Sequence, residues 1–71
     1  MAAPFIVNNV SKFRLERGLK QEDLALKAGV SRQTISAIEQ GHYTPSVLLA
    51  LKLAKIFNLP VEKIFSIAYE K

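Results

Sequence analysis

The side chains with the most specific chemistry in this sequence lie between Arg32 and Ala37. The guanidinium of Arg32 could donate two hydrogen bonds to guanine, and the amide of Gln33 could pair with adenine in the same bidentate way or bridge a base to a phosphate. Ser36 offers a short hydroxyl one helical turn after Arg32, and the methyl group of Ala37 or that of Thr34 could contact a thymine methyl group. If the segment is helical, these four residues predict a face that reads base edges in the DNA major groove. Two of them have simpler alternatives. Arg32 could contact a phosphate instead of a base, and Ala37 could simply be small enough to leave room for the DNA.

The residues around this segment indicate two short helices that meet at a glycine. The small side chain of Ala25 lets the helices cross closely, and Gly29 suits the left-handed backbone that ends the first helix. Ser31 is expected to cap the second helix, in which Ile35 and Ile38 share the inward face. The remaining inward positions are Leu24, Ala28 and Val30. The pattern over 21–40 therefore predicts a helix-turn-helix motif.

Length and composition limit the functions open to the chain. Seventy-one residues predict a single domain over 1–71, and a chain this small buries only a thin core unless a second subunit adds surface. Ten Lys and Arg residues against six Asp and Glu residues give a net charge of +4, which suits a polyanionic partner. Cysteine is absent, which excludes disulfides, thiolate zinc sites and thiol nucleophiles.

The apolar segments are too short to cross a membrane. The longest one, Val47 to Phe57, is interrupted by Lys52 and Lys55 and would rise only about 16 Å as a helix. The first residues lack the basic and apolar regions of a secretory signal. We therefore expect a cytoplasmic protein that makes no membrane contact.

Five helical segments are expected between the two ends of the chain. They cover about 10–17, 21–28, 32–40, 46–57 and 61–65. Asn8 or Asn9 is expected to cap the first, which ends at Gly18, and Thr44 or Ser46 is expected to cap the fourth.

The two ends of the chain have a different composition from the helical middle. The segments 5–7 and 65–69 are rich in β-branched and aromatic residues. We expect them to pair as a small antiparallel ribbon, because an isolated tail seldom exposes such side chains, although frayed termini are the simpler alternative. The predicted fold class is all-α with five helices and this two-stranded ribbon.

Three segments together carry a resemblance to a known family. They are RLERGLKQEDLALKAGVSRQTISAIEQGHYTPS, LALKLAKIF and VEKIF. Over roughly residues 9–65 the chain resembles the Cro and cI repressor type of helix-turn-helix domain, the Xre family, and in particular its short stand-alone regulators. The resemblance implies a lambda-repressor-like fold and a homodimeric repressor that binds double-stranded DNA.

The resemblance also implies a structural ion pair. In the family, residues at the positions of Arg14 and Glu39 link the first and third helices. Loss of one partner would leave an uncompensated charge, at a cost of about 3–5 kcal/mol where the pair is truly buried. Two unrelated surface charges are the alternative.

Contacts to the sugar-phosphate backbone follow from the same resemblance. Gln21 matches the family's usual phosphate clamp at the start of the second helix, and Lys20 adds a charge where many relatives have Ser or Thr. The loop after the third helix lies on the DNA side in relatives, where Tyr43 would donate to a phosphate or else pack on Pro45. The expected backbone-contacting residues are Lys20, Gln21, Ser31, Thr34, His42 and Tyr43.

The fourth helix favours self-association, which is common in relatives of this size. Leu48 lies on the same helix face as Lys52 and Lys55, which should face solvent. An exposed leucine on that face indicates a dimer surface, and a single tolerated exposed leucine is the alternative. We expect the dimerisation elements within 46–71 and a DNA site built as an inverted repeat with half-sites one helical turn apart. The expected interface residues are Leu48, Leu49, Leu59, Ile67 and Tyr69.

Catalysis is not expected from this residue set. Glu22 and Asp23 would project about 100° apart on a helix, and His42 has neither an orienting partner nor a second metal ligand at suitable spacing. We therefore expect no metal and no cofactor, and the chain is too small for a pocket that would hold a small-molecule effector. The main alternative function is a protein-interaction module, such as an antitoxin or adaptor with secondary DNA binding.

Overall fold

The computed structural model describes residues 3–70. Over this part of the chain, five helices follow one another between two short strands. The elements are β1 (Pro4–Asn8), α1 (Val10–Glu16), α2 (Gln21–Ala28), α3 (Arg32–Glu39), α4 (Val47–Phe57), α5 (Val61–Ile64) and β2 (Phe65–Tyr69). Each helix lies within a residue or so of the segment that the sequence predicts.

Local signals explain where α3 and α4 begin and where α2 ends. The Oγ of Ser31 accepts a hydrogen bond from the backbone N–H of Thr34 at 3.2 Å and caps α3. Ser46 caps α4 in the same way, by accepting from the N–H of Leu49 at 3.1 Å. Gly29 ends α2 with a φ of 73°, a conformation that costs little without a Cβ atom.

The core is aliphatic apart from one phenyl ring, and every helix contributes to it. The buried hydrophobic residues are Val10, Leu24, Ala25, Ala28, Ile35, Ile38, Leu49, Leu53, Ala54, Phe57 and Ile64. Small residues on α2 and branched residues on α3 meet in this core, which fixes the relative positions of the two helices.

Leu49 requires a correction, because only 7% of it is exposed. The buried residues of α4 are Leu49, Leu53, Ala54 and Phe57, and Leu49, Leu53 and Phe57 follow one another at intervals of four residues. Leu49 therefore packs in the core of its own chain and is not part of an exposed dimer surface.

The two strands pair antiparallel, with Ile6 opposite Ile67 and Asn8 opposite Phe65. The predicted ribbon is confirmed, and the all-α class is corrected, because the fold includes a two-stranded sheet. The β-branched and aromatic residues at both ends account for this pairing.

Side-chain and backbone hydrogen bonds attach the ribbon to the helices. The Nδ2 of Asn8 donates to the carbonyl of Ile38 at 2.9 Å, in the last turn of α3. The backbone N–H of Asn9 donates to the carbonyl of Ile64 at 2.8 Å. The ribbon is therefore held beside the C-terminal end of α3.

Candidate nucleic-acid interface

The outward face of α3 is polar and accessible, whereas its inward face is fully buried. Ile35 and Ile38 are 0% and 1% exposed. Arg32 and Gln33 are exposed in the first turn, and Ser36 and Ala37 are half-buried one turn later. The structure thus places the four candidate base-contacting residues where a groove could accommodate them, with Arg32 and Gln33 at the N-terminal end.

Gln40 extends this polar face and was not among the residues predicted from the sequence. Its Nε2 donates to the Oγ of Ser36 at 2.8 Å, and its own side chain is exposed just after α3. The spacing of four residues was the available signal, because residues four apart share a helix face. In this geometry Gln40 holds the Ser36 hydroxyl and adds an amide to the same face.

Two further candidates, Ser31 and Thr34, contact each other at the start of α3. Their hydroxyl oxygens are 3.0 Å apart, and Ser31 also caps the helix. Both groups are engaged within the protein and lie at the helix N-terminus, where backbone N–H groups favour an anion.

An ion pair joins α1 to α3, between the two residues that the resemblance pairs. The Nε of Arg14 donates to Oε2 of Glu39 at 2.7 Å, and a second guanidinium nitrogen donates to Oε1 at 3.1 Å. The side chains are only 11% and 7% exposed. The hydrogen bond and charge of Glu39 raise the pKa of Arg14 despite the opposing effect of burial. The guanidinium of Arg14 therefore keeps its charge near neutral pH.

Gln21 belongs to the same network. Its Nε2 donates to Oε1 of Glu39 at 3.0 Å, so the carboxylate holds the side chain at the N-terminus of α2. Gln21 is half-buried there, while the neighbouring Lys20 is exposed. The backbone N–H of Lys20 donates to Oδ2 of Asp23 at 2.8 Å, and Lys20 gives the helix no side-chain cap. An ammonium group has no acceptor for the N–H groups at a helix start, so the Lys20 side chain takes no part in the cap.

The loop after α3 places Tyr43 beside a depression that Thr34 also lines. Both Tyr43 and Thr34 line a shallow depression of about 250 Å³, together with Leu48 and Lys52. His42 is exposed in the same loop. Lys52 was predicted only as a solvent-facing residue, yet the fold adds its ammonium group to this side of the molecule.

The other residues expected in a dimer interface lie on different elements and differ in exposure. Leu48, Ile67 and Tyr69 are 65%, 62% and 62% exposed, whereas Leu59 packs partly against the core. Leu48 lines the depression with Thr34 and Tyr43, while Ile67 lies on the ribbon. Leu48 and Ile67 therefore have different neighbours within one chain, and their place in a dimer interface stays a prediction.

Residues 3–70 have neither a cluster of metal ligands nor a membrane-spanning helix. This part of the chain contains no group of three or more His, Asp or Glu side chains placed to hold a metal ion. Nor does it contain a helix long and apolar enough to span a membrane.

Comparison with known proteins places this geometry in a family. The family model described as helix-turn-helix matches residues 10–64. The chain is 55% identical over 58 residues to an HTH-type transcriptional regulator of Methanocaldococcus jannaschii, a match that covers 82% of this chain and 88% of that one. It is 48% identical over 58 residues to the HTH-type transcriptional regulator YgzD of Bacillus subtilis, with the same coverage of the two chains. These relatives are named as regulators, not as enzymes.

A phage repressor and a solved structure extend the comparison. The chain is 34% identical over 59 residues to the transcriptional repressor RstR of the cryptic phage CTXphi from Vibrio cholerae, covering 83% of this chain and 53% of the repressor. The restriction-modification controller protein C.AhdI of Aeromonas hydrophila has a similar structure, with a TM-score of 0.72 and 29% identity over 78% of this chain and 80% of that one. The chain therefore belongs to the Xre-type helix-turn-helix family of transcriptional regulators.

Proposed function

We propose that this chain is a sequence-specific double-stranded DNA-binding protein that inserts α3 into the major groove in the lambda-repressor manner. The amphipathic construction of α3 carries the proposal. Its apolar face is fully buried, while Arg32 and Gln33 are exposed in the first turn. Arg32 would read guanine, Gln33 would read adenine, and Ser36 and Ala37 would make closer contacts along the same groove.

The hydrogen bonds around Glu39 would fix the position of α3 relative to the DNA backbone. Glu39 holds Gln21 at the N-terminus of α2, where an amide N–H and the helix dipole can bind one phosphate. The depression that Thr34 and Tyr43 share would approach the backbone on the other side of α3. Lys20, Ser31 and His42 would add contacts near these two anchors.

The protein would act as a homodimeric repressor at an inverted-repeat operator. In a homodimer a two-fold axis relates the two reading helices, so they match two identical half-sites that the same axis relates. The half-sites would lie about 34 Å apart, which is one turn of B-DNA. RstR, which is named as a repressor, supports repression, and occupation of a promoter is the simplest way to achieve it. The protein would need neither catalysis nor a cofactor for this function, and it would act in the cytoplasm, where its DNA target is.

Selection from random duplex DNA tests the proposal. Sequencing of the DNA bound by the purified protein should give a two-fold-symmetric motif. Arg32→Ala should lose about 1–3 kcal/mol of binding free energy at that motif and relax the preference at one base position per half-site, because it removes a bidentate base contact.

Gln21→Ala is the matched control, because it should remove a phosphate contact. It should weaken binding to the motif and to scrambled DNA by the same factor and leave the base preferences unchanged. Selection without any enriched motif, or a changed base preference in Gln21→Ala with none in Arg32→Ala, would contradict the assignment of α3 as the reading helix.

A further inference from the structure

The side chain of Gln40 lies at the C-terminal end of the proposed reading helix and is not one of the proposed base-contacting residues. Its Nε2 donates to the Oγ of Ser36 at 2.8 Å. Ser36 is proposed to contact a base, and a serine hydroxyl can either donate to a base edge or accept from one. We propose that Gln40 is a positioning residue that makes Ser36 a hydrogen-bond donor towards DNA. Ser36 then selects a base edge that presents an acceptor atom.

The backbone holds Gln40 one helical turn after Ser36. The N–H of Gln40 donates to the carbonyl of Ser36 at 3.0 Å, which continues the helical pattern by one residue. Gly41 then ends the helix with a φ of 79°, and the N–H of His42 donates back to the carbonyl of Ala37 at 2.9 Å. The backbone on both sides of Gln40 is thereby fixed. Helical side chains lean towards the N-terminus, so the amide of Gln40 reaches Ser36.

The end of the helix favours the amide nitrogen of Gln40, not the amide oxygen, beside Ser36. The last turn of α3 ends in carbonyl groups without helical partners, which carry the negative end of the helix dipole. An NH2 group is stabilised there, whereas another carbonyl oxygen would be repelled. The Oγ of Ser36 therefore accepts from Gln40, and its own hydrogen is directed away from that amide. A hydroxyl that accepts one hydrogen bond is also a stronger donor of the next.

In the major groove, a hydroxyl that donates needs an acceptor on the base. Guanine N7 and O6, adenine N7 and thymine O4 are such acceptors, whereas cytosine presents only the donor group at N4. Ser36 is half-buried and Gln40 is exposed, so DNA seated on α3 would cover both and exclude the water that competes for their hydrogen bond. This inference rests on the proposed function, because it specifies the base edge that one residue of α3 reads.

The test repeats the selection from random duplex DNA with variants at positions 36 and 40. Ser36→Ala identifies the base position that Ser36 reads, because the preference there should relax. Gln40→Met removes the amide and keeps a side chain of similar length. It should relax the same position by roughly 3- to 10-fold, which is the effect of about one neutral hydrogen bond. The double variant should relax that position no further than Ser36→Ala does, since Gln40 acts only through Ser36.

Gln40→Glu tests the direction of the hydrogen bond, because a carboxylate only accepts at neutral pH. The Ser36 hydroxyl should then donate to the new carboxylate and present its oxygen to the DNA, so the preference should move towards cytosine on the contacted strand. The added charge should weaken binding to all sequences alike, which leaves the relative base enrichments comparable. Combined with Ser36→Ala, the same substitution should cause no such move. Residue 40 is exposed, so circular dichroism should find these variants folded.

Four outcomes would overturn the role of Gln40. They are a Ser36→Ala variant that relaxes no base position, a Gln40→Met variant that keeps the full preference, losses that add in the double variant, and a Gln40→Glu variant with an unchanged preference. Each of these leaves the enriched motif and its dependence on Arg32 intact, so the proposed function would survive. A selection without any motif for the unmodified protein would instead overturn the proposed function, and the role of Gln40 with it.

Discussion

At the scale of single residues, the site depends on the carboxylate of Glu39. One oxygen accepts from both Arg14 and Gln21, and the other accepts from Arg14 alone. Arg14 also donates to the carbonyl of Leu19 at 2.9 Å, in the loop that leads into α2. One nearly buried carboxylate therefore connects α1, α2 and α3 and sets the position of the proposed phosphate clamp.

Glu39→Gln should lower the free energy of unfolding by about 3 kcal/mol. The substitution leaves the nearly buried guanidinium of Arg14 without its counter-charge, and the bond to Leu19 keeps the loss at the lower end of the usual range. The pKa of Arg14 is raised from a value already far above neutral, so the loss should be constant between mildly acidic and mildly basic pH. Urea unfolding at several pH values measures both expectations.

The double substitution Arg14→Met with Glu39→Leu serves as the control for coupling. It removes both charges and keeps similar apolar volume, so it should regain much of the stability that Glu39→Gln loses. DNA affinity should nevertheless be low in the double variant, because a leucine at position 39 offers Gln21 no acceptor, whereas the amide oxygen in Glu39→Gln still does. A double variant no more stable than Glu39→Gln would show that the two residues are not coupled.

At the scale of elements, the sequence predicts where helices begin and end better than which way they face. Ser31, Gly29 and Ser46 act through atoms a few residues away, so their effects can be read from the chain. The orientation of α4 is different, because Leu48, Leu49 and Leu51 are the same residue type at three angles around the helix. Only packing against the other helices decides that Leu49 is buried. The side-chain hydrogen bonds between Gln21 and Glu39 and between Gln40 and Ser36 were not predicted either, because they depend on rotamers that tertiary packing selects.

Ser46→Ala should destabilise the protein by about 1 kcal/mol through loss of the α4 cap. For a domain of this size the melting temperature should fall by about 4–8 °C, as measured by circular dichroism. Ser46→Asp should keep the melting temperature close to that of the unmodified protein, since a carboxylate caps a helix N-terminus as well as a hydroxyl does. An equal loss in both variants would assign the effect to something other than the cap.

At the scale of the whole molecule, basic charge and two-fold symmetry should act together on DNA. The net charge of +4 per chain attracts phosphates of any sequence, while α3 provides the discrimination. In a dimer each cationic phosphate contact occurs twice, so the removal of one lysine changes the count of released counterions by two. Salt dependence therefore reports both the contact and the number of chains that make it.

Lys20→Ala should make the plot of log affinity against log salt concentration less steep by about 2 on a duplex with two half-sites. On a single half-site bound by one chain, the change should be about 1. Lys20 is exposed, and the variant keeps the hydrogen bond from the backbone N–H of residue 20 to Asp23, so the effect should come from the lost charge rather than from unfolding.

Gln21→Ala should weaken binding at every salt concentration without changing the slope, because the amide of Gln21 is neutral. Equal slopes for Lys20→Ala and the unmodified protein would remove Lys20 from the phosphate contacts, and a change of about 1 on both duplexes would mean that one chain, not two, engages the DNA.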